Sequence, residues 1–107
     1  MKNLGQMLKQ AQEMQGRMTE MQEELERIEI EGRAGGGMVT VTMTAKGKLT
    51  GLSIDPSLMT ADERETLEDL ILAAHADARD KAQARMSEEM KKLTGGMPLP
   101  DGFQFPF

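Results

Sequence analysis

The stretch Gly32-Arg33-Ala34-Gly35-Gly36-Gly37-Met38-Val39-Thr40-Val41-Thr42-Met43-Thr44-Ala45-Lys46-Gly47-Lys48-Leu49-Thr50-Gly51-Leu52-Ser53-Ile54-Asp55-Pro56 decides the fold of this chain. Val39, Val41 and Met43 alternate with Thr40, Thr42 and Thr44, a period of two that predicts a strand over 38–44 with one apolar and one hydroxyl face. Ala45-Lys46-Gly47 closes a hairpin, with Gly47 at the left-handed position, and Lys48–Ile54 follows as the next strand. Pro56 cannot continue the ladder. On the other side, Gly35-Gly36-Gly37 supplies a turn or bulge with positive φ. Before it, Ile28, Ile30, Gly32 and Ala34 alternate with Glu29, Glu31 and Arg33, which predicts a first strand. The middle of the chain is therefore a three-stranded antiparallel meander.

Outward from the meander the period changes to that of helices. Leu4, Met7, Ala11, Met14, Met18, Met21, Leu25 and Ile28 are spaced alternately three and four apart. That is an unbroken heptad seam, which predicts one helix over 2–28 packed against another helix. After the meander, Thr60-Ala61-Asp62-Glu63 reads as a capping box, with the Thr60 hydroxyl on the first turn and Glu63 reaching back. The helix it opens is expected to run to about Thr94, roughly 50 Å. Leu67, Leu70, Ile71, Ala74, Ala78, Ala82, Met86, Met90 and Leu93 form its buried stripe. The stripe thins after Ala78, so the last four turns are expected to project beyond the body. Gly95-Gly96 ends the helix. These elements define an α+β fold with α-β-β-β-α order: a single domain over 1–96 and a mobile tail over 97–107 containing Pro98, Pro100, Pro106 and the only aromatics, Phe103, Phe105 and Phe107.

With 107 residues and no aromatic before Phe103, the core must be built from Met, Leu, Ile, Val and Ala. The 11 methionines suit an adaptable core or interface. The absence of cysteine excludes disulfides and thiolate metal sites. No apolar run reaches the ~20 residues of a membrane span, and the N-terminus lacks a signal-peptide apolar region. A soluble, cytoplasmic protein with no membrane partner is expected. The net charge of −5 opposes simple phosphate attraction. The charge is uneven, however: residues 1–53 balance, and the excess of acids is concentrated between Asp55 and Asp69.

No catalytic constellation is visible. His75 stands alone between alanines, and Ser53, Ser57 and Ser87 lack a His/Asp partnership. Asp62, Glu63, Glu65, Glu68 and Asp69 read as a solvated helix start. A phosphate loop ending at Gly47-Lys48 would need Gly at position 42 and Ser or Thr at 49, where the chain has Thr42 and Leu49. Gly35, Gly36 and Gly37 fail the dinucleotide spacing, because position 40 is Thr40. No enzyme activity, metal or cofactor is expected.

What remains are cations at the helix ends: Lys2, Lys9 and Arg17 on the first helix, and Arg79, Lys81, Arg85, Lys91 and Lys92 on the second. Lys81, Arg85 and Lys92 are spaced to share one face. From the charges alone two readings stand open, solubilising partners of nearby acids or contacts to phosphate. The uncovered sheet edges, and a seam several turns longer than three short strands, favour a homodimer.

The long helix, the Gly-rich meander closing on Ile54-Asp55-Pro56, the Leu67-Glu68-Asp69-Leu70-Ile71-Leu72-Ala73-Ala74 run and the Gly95-Gly96-Met97-Pro98 … Phe105-Pro106-Phe107 tail together resemble the YbaB/EbfC family. Its members are small bacterial nucleoid-associated proteins. The resemblance covers essentially the whole chain. It implies a tweezer-like homodimer of α-β-β-β-α protomers, located at the nucleoid in the cytoplasm. It also implies a non-enzymatic role binding duplex DNA, in chromosome organisation, gene regulation or repair. On that reading Lys2, Lys9, Arg17, Arg79, Lys81, Arg85, Lys91 and Lys92 hold phosphate from projecting helix ends. With no aromatic platform in the folded region, stacking on single strands is not expected. The alternative is a helical clamp or adaptor for protein partners in repair or replication assemblies, supported by the Met-rich seam, the acidic surface and the Phe-containing tail.

Overall fold

In a computed structural model, which describes residues 2–93 and of Lys2 only the backbone, the meander lies between two long helices. The elements are α1 (Lys2–Arg27), β1 (Glu29–Ala34), β2 (Val39–Thr44), β3 (Leu49–Ile54) and α2 (Arg64–Leu93). The expected helix stop at Gly95-Gly96 and the tail over 97–107 lie outside the described residues.

The sheet has the order β1-β2-β3, both pairs antiparallel, with Gly32 opposite Val41 and Val41 opposite Leu52. Gly35, Gly36, Gly37 and Gly47 all have positive φ, the conformation that the two turns need and that only glycine takes without strain. The Ala45 N–H donates to the carbonyls of Leu25 (3.1 Å) and Ile28 (3.0 Å). These are carbonyls that the end of a helix leaves unpaired. The hairpin turn is thereby tied to the end of α1.

Two apolar clusters hold the body together. Val39, Val41 and Met43 face Ala74, Ala78 and Ala82 of α2, with Leu58 closing one end. The small side chains let α2 lie close to the sheet, and closest at Gly32: a Cβ there would overlap the Ala74 carbonyl and Ala78. In the second cluster Met21 and Leu25 of α1 pack on Met90 of α2 and Ala45, with Ile28, Met86 and Leu93 at the margin. The described part of the α2 stripe is the one the sequence spacing marks.

Two local expectations are corrected. Thr60 makes no side-chain capping bond, and a 3-10 turn over Ala61–Glu63 precedes α2. The Thr60 carbonyl, not its hydroxyl, receives the first bond, from the Glu63 N–H at 3.1 Å. The second concerns which helix projects. The far end of α2 does not stand free, because Met86, Met90 and Leu93 lie against α1. The N-terminal half of α1 projects instead. From Leu4 to Met14 its seam residues are exposed, with relative exposures of 58% for Leu4, 63% for Met7 and 42% for Met14. The molecule measures 73 × 25 × 17 Å with a radius of gyration of 19.4 Å, against about 13 Å for a compact chain of this length.

Candidate nucleic-acid interface

The cations of the two helices are positioned by the same packing that buries the apolar stripes. On α2, Lys81, Arg85 and Lys92 share one face as their spacing requires, and each is engaged by an acid. Lys81 Nζ lies 2.9 Å from Asp77 Oδ2 and also donates to the Glu31 carbonyl at 3.2 Å. Arg85 Nε and Lys92 Nζ both donate to Glu89 Oε1, each at 3.3 Å. Glu89 is buried, at 6% exposure, so the two cations compensate a carboxylate largely withdrawn from water.

Arg17 reaches the same region from α1. It lines a shallow cleft with Glu20, Met21, Glu24, Glu89, Lys92 and Leu93. Arg17 forms no ion pair among the described residues, and neither does Lys9, farther along the projecting half of α1. Lys91 is exposed in the last described turn of α2. The Lys2 side chain lies outside the described residues. The structure thus brings Arg17, Arg85 and Lys92 together at the α1–α2 junction and sets Lys9 apart on the arm.

Arg79 stands elsewhere. Counting 100° per residue, it lies about 160° round α2 from Lys81. It lines a groove with His75, Gln83, Met86 and the β2–β3 turn at Lys46 and Gly47. Lys46 pairs with Glu26 at 3.2 Å, while Lys48 forms no ion pair among the described residues. In the sequence, Ala45-Lys46-Gly47 reads as a turn signal. The two lysines flanking a glycine were the signal for a basic turn.

The electrostatics of the opposite edge are set by Asp77. Its carboxylate accepts the Arg33 backbone N–H at 3.0 Å and the Lys81 ammonium. The backbone hydrogen bond from Arg33, then that from Lys81, holds its carboxyl below the usual carboxylate range. Among the described residues, no group of three or more His, Asp or Glu is gathered to hold a metal ion. Among the described residues, no helix is long and apolar enough to cross a membrane.

The chain is 51% identical over 107 residues to a nucleoid-associated protein of Agrobacterium fabrum, covering all of both chains. It is 58% identical over 96 residues to one of Rhodopseudomonas palustris, covering 90% of this chain and 91% of that one. In fold it is similar to an uncharacterized protein from Helicobacter pylori, with a TM-score of 0.78, 22% identity, and coverage of 86% of this chain and 97% of that one. Residues 1–97 match the YbaB/EbfC DNA-binding family. With the α-β-β-β-α order, these matches place the chain as a member of the YbaB/EbfC family of nucleoid-associated, DNA-binding proteins.

Proposed function

We propose that the protein works as a homodimeric clamp on duplex DNA at the bacterial nucleoid, without catalysis, in chromosome organisation, gene regulation or repair. The observation that carries the reading is the projecting half of α1. An amphipathic helix leaves the body with Lys9 along it and Arg17 at its base, neither in an ion pair among the described residues. In a dimer two such arms would flank a duplex and contact its phosphates.

The candidate cations are not equal on this reading. Lys2, Lys9 and Arg17 carry the contact on α1, and Lys91 and Lys92 extend it at the end of α2. Lys81, Arg85 and Lys92 give up an acid partner before they can serve a phosphate, and so contribute less. Arg79 faces the side of α2 that looks over β3.

That side is where the second protomer would sit. α2 packs on β1 and β2 and leaves β3 largely uncovered. Leu49 and Leu52, paired with Met43 and Val41, stay exposed, as does Leu72 on α2. Exposed apolar side chains beside an open strand edge are an expected site for self-association.

The test is fluorescence anisotropy of the purified protein on duplex DNA, comparing the wild type with Lys9→Glu/Arg17→Glu at unchanged helicity and dimer mass. Loss of binding supports the clamp. Binding indifferent to the charge reversal, together with capture of a repair or replication protein that fails when the chain is cut after Gly96, would put the adaptor reading in its place.

A further inference from the structure

We infer that the chain's own C-terminal segment, residues 97–107, folds back in cis along α1 and covers its exposed apolar stripe. Leu4, Met7, Leu8, Ala11 and Met14 lie on one side of the projecting helix, and all are exposed. Soluble chains rarely leave such a contiguous stripe uncovered. The stripe is a direct continuation of an interface already formed: Met21 and Leu25, farther along the same seam, are buried by Met90 with Leu93 at the margin.

The place where α2 ends selects the occupant. Leu93 lies beside Arg17, Glu20 and Met21, at the point where the covered part of the seam stops. Thr94, Gly95 and Gly96 follow, enough chain to reverse direction. The eleven residues after them can span up to about 39 Å when extended. The stripe from Met14 to Leu4 is about 15 Å long. The segment is therefore delivered to one end of the stripe and is long enough to reach the other.

Its chemistry matches the surface. Met97, Leu99, Phe103, Phe105 and Phe107 are apolar, and Asp101 is its one charged side chain. In an extended backbone Phe103, Phe105 and Phe107 point to one side, about 6.7 Å apart, close to the roughly 5.4 Å between successive turns of α1. Lys9 lies on the far side of α1, two residues and about 200° from Met7, so the covered stripe and the DNA-facing cation do not compete. The inference does not depend on the DNA reading.

The absence of cysteine in this chain makes the test clean. Met7→Cys/Phe105→Cys is oxidised beside a control pair, Glu13→Cys/Phe105→Cys, whose helical position is on the opposite face. Products are sized under denaturing, non-reducing conditions. The expected result is a monomer-mass disulfide in at least about fivefold excess over the control, reflecting the effective concentration that docking creates. Equal yields overturn the inference, and so does a predominant dimer-mass product, which assigns the stripe to a second copy. On an otherwise full-length chain, Phe103→Ser/Phe105→Ser/Phe107→Ser is expected to speed amide exchange across residues 3–16 about tenfold. Unchanged exchange there overturns it.

Discussion

The backbone N–H of Arg33 donates to the carboxylate of Asp77 at 3.0 Å, joining the first strand to the middle of the second helix. The same carboxylate holds Lys81 at 2.9 Å, so one acid both pins an edge strand and occupies a helix cation. Because these bonds favour the ionised form, the Asp77 carboxyl is held below its unfolded value of about 3.9. A carboxyl lowered in this way stabilises the fold fully above the unfolded value. That contribution is lost as pH falls through the folded value. Asp77→Asn is expected to be less stable than the wild type at neutral pH. The difference should shrink below about pH 4. Urea unfolding followed by circular dichroism across that range checks it; a pH-independent difference would show that Asp77 acts by shape alone.

Gly32 is where β1 and α2 come closest, and the space for a side chain is already filled by α2 backbone. Gly32→Ala is expected to cost at least about 1–3 kcal/mol, the usual range for overpacking. Gly16 supplies the contrast, because a Cβ there meets nothing within 4 Å. Gly16→Ala is expected to raise stability or helicity, by up to about 1 kcal/mol. Denaturant midpoints of the two variants should move in opposite directions. A Gly32→Ala protein as stable as the wild type would contradict the described packing.

The exposed leucines of β3 bear on assembly. Leu52→Lys places a charge opposite Val41 on the uncovered strand. If a second protomer sits there, dissociation should strengthen by at least about 30-fold, the 2 kcal/mol typical of a central interface residue. Sedimentation equilibrium measures it. An unchanged dimer would move the interface elsewhere, and a wild type that is monomeric at micromolar concentration would remove the clamp geometry.

The fold was legible because its signals are local. Alternation of Val and Thr set the faces of β2, glycines marked both turns, and the spacing of alanines and methionines traced the α2 stripe. The remainder depends on distance through space. The α1 seam has the same spacing from Leu4 to Ile28, so nothing in it tells the covered half from the bare half. Gly32 reads as one more strand residue until α2 is laid on it. Thr60 and Glu63 have capping-box spacing, yet a 3-10 turn consumes those residues. Among the candidate cations, the acids at Asp77 and Glu89 stand at helical spacing to Lys81 and Arg85 and were open to the pairing reading. Arg85, Glu89 and Lys92 also stand at helical spacing; what the spacing does not tell is that Glu89 is buried.

The pairing pattern ranks the cations on DNA. Lys81→Gln/Arg85→Gln is expected to weaken duplex binding severalfold at most, because both side chains already serve acids. Lys9→Gln/Arg17→Gln is expected to weaken it by at least about tenfold, one factor of ten per 1.4 kcal/mol lost. Titrations at a single salt concentration rank the two variants; the reverse order would place the contact on the α2 face.

The most direct test of the clamp is the slope of log affinity for duplex DNA against log salt, for the wild type and for Lys9→Gln/Arg17→Gln. Each neutralised phosphate adds about −0.9 to that slope. Two arms losing two cations each should make it shallower by roughly 3 to 4. A parallel line, displaced or not, would mean that neither side chain meets a phosphate and would contradict the projecting arm as the DNA-binding element.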